Sequence, residues 1–192
     1  MMLRRYFRPI VSPAIALGMA AVVASLTGCI AAQILPYEPS IANEAKLGSL
    51  PPQVRLQVTT LGSDPSNVTT VVRAIRVTAP GNGSWSAYLG QALHAELAAS
   101  GHYDANAALV LDASLNELKI NDGAGAVTGH FVIHDAKGVR YDKVLHVDAK
   151  WDSDFLGVIA ASSGMNQATA VFQALLQKLF DDPDFIKAVR SA

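Results

Sequence analysis

Several short stretches of the chain alternate apolar and polar residues, and this period of two is typical of strands with one buried face. Over residues 53–61, Val54 and Val58 belong to the apolar set. Turn-forming residues at 62–65 separate this stretch from a second alternating stretch at 68–79. The pattern therefore predicts two strands at the start of the globular part.

Two other stretches repeat their apolar residues every three or four positions, as amphipathic helices do. The first begins after Ser84, a favoured N-cap residue, and stops at Gly101. The second runs from about Ser163 to Phe180, and Asp182-Pro183 then predicts the cap and first turn of a short terminal helix. The apolar positions of the two longer helices are Trp85, Leu89, Ala92, Leu93 and Leu97, then Ala168, Val171, Phe172, Leu175, Leu176 and Leu179.

A third predicted strand covers residues 107–120, and its apolar positions change parity partway along. Leu111 and Leu115 are odd-numbered, whereas Leu118 and Ile120 are even-numbered. One extra residue in a strand shifts the side-chain alternation in this way, so we expect a β-bulge near Asn116-Glu117.

The fourth and fifth predicted strands form a hairpin whose register follows from their apolar residues. Phe131 and Ile133 are the apolar pair of one strand. The apolar residues that share a face on the other strand are Val139, Tyr141, Leu145, Val147, Ala149 and Trp151. Pairing Asp135 with Val139 satisfies this pattern and leaves a three-residue loop that ends in Gly138, where the backbone needs a positive φ.

Together these elements predict the order β-β-α-β-β-β-α, which is an α+β fold in a single domain. We expect a mixed or antiparallel sheet of about 4–5 strands with two main helices packed on one face.

The start of the chain has the three parts of a signal peptide. Arg4, Arg5 and Arg8 precede an apolar run from Ile10 to Leu26, and small residues follow. The run Leu26-Thr27-Gly28-Cys29 resembles the lipobox of bacterial lipoproteins. This resemblance implies that signal peptidase recognises Leu26, Thr27 and Gly28, and that Cys29, the only cysteine, receives a diacylglyceryl group and fatty acyl chains such as palmitate. The alternatives are an uncleaved transmembrane anchor or an ordinary buried cysteine.

These features predict residues 1–28 as signal peptide, 29–50 as lipidated start and tether, and 51–192 as globular domain. A flexible tether of this length would hold the domain roughly 25 Å from the bilayer. The alternative is that residues 30–50 pack along the domain, since Ile34 and Leu47 are apolar. In the lipoprotein family, the residue after the lipidated cysteine decides the membrane to which the protein is sorted. Here that residue is Ile30 rather than aspartate. This implies that the lipid lies in the inner leaflet of the outer membrane and that the domain faces the periplasm.

Charge excludes one class of partner. The chain has 15 basic and 16 acidic side chains, and loss of the signal peptide leaves 12 basic and 16 acidic, a net charge of −4. Nucleic-acid binding requires a basic face, so we expect no nucleic-acid partner.

The chemistry-bearing residues form no recognisable catalytic, metal or cofactor motif, and we predict a non-enzymatic protein. His130 and His134 are four residues apart, which on a strand separates them by roughly 13 Å, too far to share a metal ion. The remaining histidines are interpreted as solvated residues. Ser84 and Ser86 lack a nucleophile elbow. The acidic residues Asp152, Asp154, Asp181, Asp182 and Asp184 are interpreted as helix caps and surface charge.

Beyond the lipobox, the chain resembles lipopolysaccharide-assembly lipoproteins and the auxiliary lipoproteins of ABC-type envelope transport systems. The resemblance rests on the leucine-spaced helix Trp85–Gly101, its exit Ser100-Gly101-His102-Tyr103, and the strands containing Leu109-Val110-Leu111 and Val144–Trp151. It implies a non-enzymatic partner of a larger membrane complex, and only the role of Cys29 is carried over.

The leading hypothesis is a binding or assembly module that docks on an envelope complex through a helix face or a sheet edge, either the 53–61 or the 107–120 strand. The second is a lipid or lipopolysaccharide carrier, which needs a cavity between sheet and helices. The third is a periplasmic hydrolase. Aromatic residues available to line such a cavity, or alternatively to fill the core, are Trp85, Tyr88, Phe131, Tyr141, Trp151 and Phe172.

Overall fold

Seven strands and four helices make up the part of the chain that the structure, a computed structural model, describes: residues 31–152 and 157–191. The predicted signal peptide, Leu26, Thr27, Gly28 and Cys29 lie outside these residues. The strands are β1 (Ala31–Gln33), β2 (Gln57–Thr60), β3 (Val68–Val72), β4 (Ile75–Thr78), β5 (Val110–Ile120), β6 (Ala124–Asp135) and β7 (Gly138–Lys150). The helices are α1 (Ile41–Leu47), α2 (Trp85–Ala99), α3 (Gly157–Phe180) and α4 (Pro183–Arg190).

The fold is α+β in a single domain, as predicted, but the expectation of about 4–5 strands and two main helices was an undercount. The strands form one mixed sheet in the order β1-β4-β3-β5-β6-β7. β2 also belongs to it, because β2 and β3 pair in parallel with opposite ends of the same side of β5.

The single strand predicted over 68–79 is in fact the hairpin of β3 and β4. Val72 pairs with Ile75, which leaves Arg73 and Ala74 as the turn. Arg73 has a φ of 56°, in the left-handed region that glycine and asparagine usually occupy. Its side chain bonds Asp122 at 2.7 Å, which holds this turn against the turn between β5 and β6. The sequence hid the reversal because it lacks the usual turn residues.

The predicted register of the β6–β7 hairpin is confirmed away from its loop, but the predicted pairing of Asp135 with Val139 is wrong. Ile133 pairs with Tyr141, and β5 shifts register between Leu115 and Glu117, where the bulge was expected. The hairpin loop is shorter than predicted, because Asp135 pairs with Gly138 and a second irregularity follows at His134. Gly138 has a φ of 127°, the positive value that the loop required.

The core lies between one face of the sheet and the helices. Buried side chains alternate along β5 and β6, and α3 packs on β6 and β7. A Cβ atom on Gly129 would lie 2.9 Å from Phe131 and 3.2 Å from Leu175, so glycine is needed there for α3 to approach β6. The opposite face of β5 to β7 carries no helix among the described residues.

Both ends of α2 are capped. The Ser84 hydroxyl accepts the Ala87 N–H, as predicted, and Asp64 accepts the N–H groups of Trp85 and Ser86 at 2.9 and 2.6 Å. At the other end Gly101 has a positive φ, and the His102 N–H reaches the Leu97 carbonyl in a Schellman arrangement. Burial alone would raise the pKa of Asp64, but these donated hydrogen bonds outweigh it and lower the pKa.

The described part of the 29–50 segment is not a tether, which corrects the expectation made above. Residues 31–33 form β1, α1 follows, and Ile34, Tyr37, Leu47 and Leu50 are buried in the core. The alternative of a segment packed along the domain is therefore the one observed. Pro36 and Pro39 made the segment resemble a linker, although they only shape the connection between β1 and α1.

Glu96 of α2 binds this N-terminal segment. Its side chain is fully buried, and Oε1 accepts the Tyr37 hydroxyl at 2.6 Å, Asn43 Nδ2 at 2.8 Å and the Ser40 N–H at 3.1 Å. Asn43 Nδ2 also donates to the Gln173 carbonyl, so the same contact reaches α3. Burial, and then the bond to Glu96, raise the pKa of Tyr37 well above its usual value, so the hydroxyl stays a donor.

We expect Glu96→Ala to lower the free energy of unfolding by about 3–5 kcal/mol. Two buried donors, Tyr37 and Asn43, and the partly buried Ser40 N–H lose their acceptor. Tyr37→Phe removes one donor only and should cost about 1 kcal/mol. Denaturant unfolding gives both values, and hydrogen exchange over residues 37–47 should accelerate most in Glu96→Ala. Glu44→Ala, an exposed change on α1, is the control. Equal stabilities of Glu96→Ala and Glu44→Ala would contradict this role.

We expect Asp64→Ala to destabilise the protein by about 1–2 kcal/mol at neutral pH, because the first turn of α2 loses its acceptor. Because the folded pKa of Asp64 lies below its ordinary value of 3.8, the stabilisation is present above that pH and is lost as the pH falls through the folded value. Urea unfolding at several pH values should therefore show the two proteins converging in acid. A constant difference down to the lowest pH would contradict this account, and exposed Asp152→Ala is the control.

Candidate functional site at the free edge of the sheet

The longest strand of the sheet, β7, is paired on one side only. Its inner side pairs with β6 from end to end, and no described strand pairs with its outer side. Of the two predicted edges, the 107–120 strand is wrong, because β5 is paired on both sides. The predicted 53–61 strand contains β2, which is four residues long and pairs with β5 on one side. The ends of the strand order are β1, with three residues, and β7, with thirteen.

The outward-facing backbone groups of β7 can be assigned from one contact. Lys178 on α3 donates to the His146 carbonyl at 2.8 Å, so the backbone groups of His146 point away from β6. Backbone direction alternates along a strand. Val144 and Asp148 therefore also present their N–H and C=O groups to the outside, where an extended peptide could pair with them.

Side chains next to this edge are partly apolar. Val139 is 63% and Val144 58% exposed, two of the most exposed large apolar side chains of the described chain. Long, exposed edge strands are usually protected by charge, bulges or cover, since they invite pairing with other chains. On β7, Lys178 covers one carbonyl. The strand also carries the charged residues Arg140, Asp142, Lys143, Asp148 and Lys150, and no described strand pairs with its outer side.

A groove of about 590 Å³ runs beside this edge, between β7 and the end of α3. Lys143 spans it and bonds Asp182 at 2.9 Å and Asp184 at 2.7 Å. These bonds to Asp184 and Asp182 raise the pKa of Lys143. Burial would raise the pKa of Asp182, but Lys143 and the Asp184 N–H lower it, so both groups stay charged. Asp182 is also the N-cap of α4, as predicted.

The open face of the sheet carries three histidine–aspartate pairs. Each histidine contacts its own aspartate, so the pairs do not converge on one point, and all three histidine side chains are at least one-third exposed. No group of three or more metal-ligating side chains comes together among the described residues. The N–O distances are 2.7 Å for His130–Asp142, 2.9 Å for His134–Asp112 and 2.8 Å for His146–Asp148.

The other two histidines differ from each other. His94 packs against the Tyr103 ring, with centroids 4.2 Å apart. His102 was expected to be solvated but is buried, with Nδ1 bonded to the Val54 carbonyl at 2.9 Å. Its position directly after the helix stop at Gly101 explains this, because the Schellman turn directs the chain back onto β2.

The aromatic residues considered for a lipid cavity mostly fill the core. Trp85 stacks on Phe172 with centroids 6.0 Å apart, and Tyr88 meets Phe172 edge-on at 5.1 Å. Phe131 and Tyr141 are buried as well, and Trp151 is half-buried. No helix among the described residues is long and apolar enough to cross a membrane.

The sequence patterns did not predict that β7 is a free edge, that Lys178 bonds its backbone, or that Glu96 is buried among donors from the N-terminal segment. The alternation along 139–151 located the strand, but the strand order that leaves it at the margin depends on contacts far apart in sequence. A lysine in the last turn of α3 is equally typical of an ordinary helix end.

The sequence matches no known family profile and no curated protein. Among solved structures, a Xanthomonas campestris protein described as a member of the family DUF330 is similar at a TM-score of 0.51 and 13% identity, covering 78% of this chain and 94% of that one. This likeness shows a shared fold.

Two further solved structures are more distant. A Caulobacter crescentus protein described as a candidate lipoprotein has a TM-score of 0.46 at 14% identity, over 78% of this chain and 97% of its own. A hypothetical protein of Chlamydia trachomatis has a TM-score of 0.40 at 12% identity, and the likeness covers 71% of this chain and 96% of that one. The three neighbours include no lipopolysaccharide-assembly lipoprotein, so that resemblance stays a prediction.

Proposed function

We propose that this protein is a lipid-anchored envelope lipoprotein that acts as a non-enzymatic binding or assembly component of a membrane complex. Its place is the inner leaflet of the outer membrane, facing the periplasm, and Cys29 carries the lipid. The observation that supports the binding role is the unpaired outer side of β7. The anchor is supported by the arginines, the apolar run and the lipobox residues of the sequence.

The partner chemistry follows from the edge. An extended segment of an envelope protein would add to β7 as another strand and satisfy the outward N–H and C=O groups, as in known strand-addition complexes. Val144 would contact alternate side chains of that segment. The charges of Lys143, Asp182 and Asp184 beside the groove favour a segment that is polar on that side.

The lipid-carrier hypothesis has less support from the described residues. The aromatic residues that could have lined a cavity pack ring against ring instead. The grooves beside β7 and beside the segment after β1, both lined by described residues, lie at the surface. The edge is therefore the better basis for a function.

We expect Cys29→Ala to abolish lipid attachment and leave an uncleaved precursor, because the thiol is the acceptor of the diacylglyceryl group. Mass spectrometry of the N-terminal peptide should show cleavage before Cys29 and the added lipid in the unaltered protein only. Ile30→Val is the matched control and should be processed normally. A mature protein without lipid mass would contradict the anchor.

We expect a photo-crosslinking amino acid at Val144 to give one covalent adduct in living cells, and none at Leu61, which is exposed but remote from β7. Asp148→Pro removes one outward N–H without touching the pairing with β6, and should lower the adduct yield about tenfold.

Asp148→Ala is the control, because it loses the same carboxylate but keeps the N–H. Unchanged thermal unfolding of both variants would show that the sheet is intact. If Asp148→Pro and Asp148→Ala gave equal adduct yields, binding through the edge of β7 would be wrong.

A further inference from the structure

The corner of the sheet next to the anchor is defined by strand pairing. Ala31 pairs with Arg76 of β4, and Arg76 pairs with Val71 of β3. Directly paired residues point to the same face of a sheet. Ala31, Arg76 and Val71 therefore form one row across three strands, and all three are exposed.

This row lies very close to the predicted lipid. Ala31 follows Cys29 by two residues, which span at most about 7 Å even when fully extended. Neighbouring strands are about 4.8 Å apart, so the Arg76 backbone lies one strand further. The tether that would have separated domain and bilayer is instead β1, and Glu96 holds the segment that follows.

The chemistry of the corner suits a phospholipid surface. Arg76 has no hydrogen-bond or ion-pair partner among the described residues, and its guanidinium matches the geometry of phosphate oxygens. Val71 is 41% exposed, and Leu35, two residues beyond the end of β1, is 75% exposed. Val71 is paired directly with Arg76, and Leu35 lies further along the chain from Ala31. Apolar side chains beside a basic group are typical of surfaces that enter the headgroup region.

We propose that this corner, consisting of Ala31, Leu35, Val71 and Arg76, rests on the headgroups of the membrane that holds the Cys29 lipid, with Arg76 bound to lipid phosphate. The proposal depends on the proposed lipidation. Contact through this corner orients the domain on the bilayer. β1 lies next to the membrane, and β7, at the opposite end of the strand order, lies furthest from the anchor. The free edge of β7 then lies about 24 Å across the sheet from the anchor and is available to a partner.

The test uses the full-length lipidated protein in vesicles of phosphatidylethanolamine and phosphatidylglycerol. Cys29 is consumed by lipid, so a single new cysteine at Val71 or Val139 accepts a fluorescent label, and energy transfer to a headgroup dye reports the distance to the bilayer. We expect strong transfer from Val71 and weak transfer from Val139.

Arg76→Glu should reduce the ratio of docked to undocked orientations at least about fivefold, and high salt should weaken transfer in the unaltered protein. Lys137→Glu makes the same charge change in the hairpin loop before β7 and should leave transfer unchanged. Equal thermal unfolding of the two variants shows that neither is misfolded, and the salt series tests the proposal without any variant.

The outcomes separate the two proposals. Missing lipid mass on Cys29 would overturn the proposed function and this inference with it. A lipidated protein with equal transfer from Val71 and Val139, or with Arg76→Glu indistinguishable from Lys137→Glu, would overturn the docked corner alone. Transfer that is strong at Val71 and lost in Arg76→Glu supports it.

Discussion

The arrangement of this domain depends on one buried carboxylate. Glu96 of α2 gathers donors from Tyr37, Ser40 and Asn43, and through Asn43 the contact extends to α3. A buried carboxylate is costly unless it is hydrogen-bonded, so the N-terminal segment and α2 stabilise each other. This contact acts together with the pairing of β1 with β4 and the burial of Ile34 and Leu47, which also keep β1 and α1 on the domain.

This contact bears on the relation between the domain and the anchor proposed at Cys29. A segment with two prolines would ordinarily be a spacer, and a domain tethered by it would move freely. Among the described residues, strand pairing is already present at Ala31. If Cys29 carries the proposed lipid, β1 lies beside it and β7 lies at the opposite end of the strand order, which suits the proposed module that joins a membrane to a partner.

Much of the central fold could be predicted from local patterns. The alternation around Phe131 and Tyr141 gave the register of the hairpin, the parity change at Leu118 gave the bulge, and Ser84 and Gly101 gave the ends of α2. Each of these features depends on neighbours within a few residues or on one buried face. The β3–β4 hairpin was not predicted, because Arg73 adopts the left-handed backbone conformation, which residues other than glycine and asparagine seldom take. Its bond to Asp122 comes from a distant part of the chain.

The class of the fold, the sheet-and-helix core and the lipid attachment predicted at Cys29 follow from periodicity and short motifs, which are local properties of the chain. Three features follow from the folded arrangement instead: the free edge at β7, the packing of residues 31–50, and the burial of Glu96 and His102. These features depend on residues far apart in sequence, such as Tyr37 and Glu96, which are 59 positions apart, or Ala31 and Arg76, and no local pattern records such contacts.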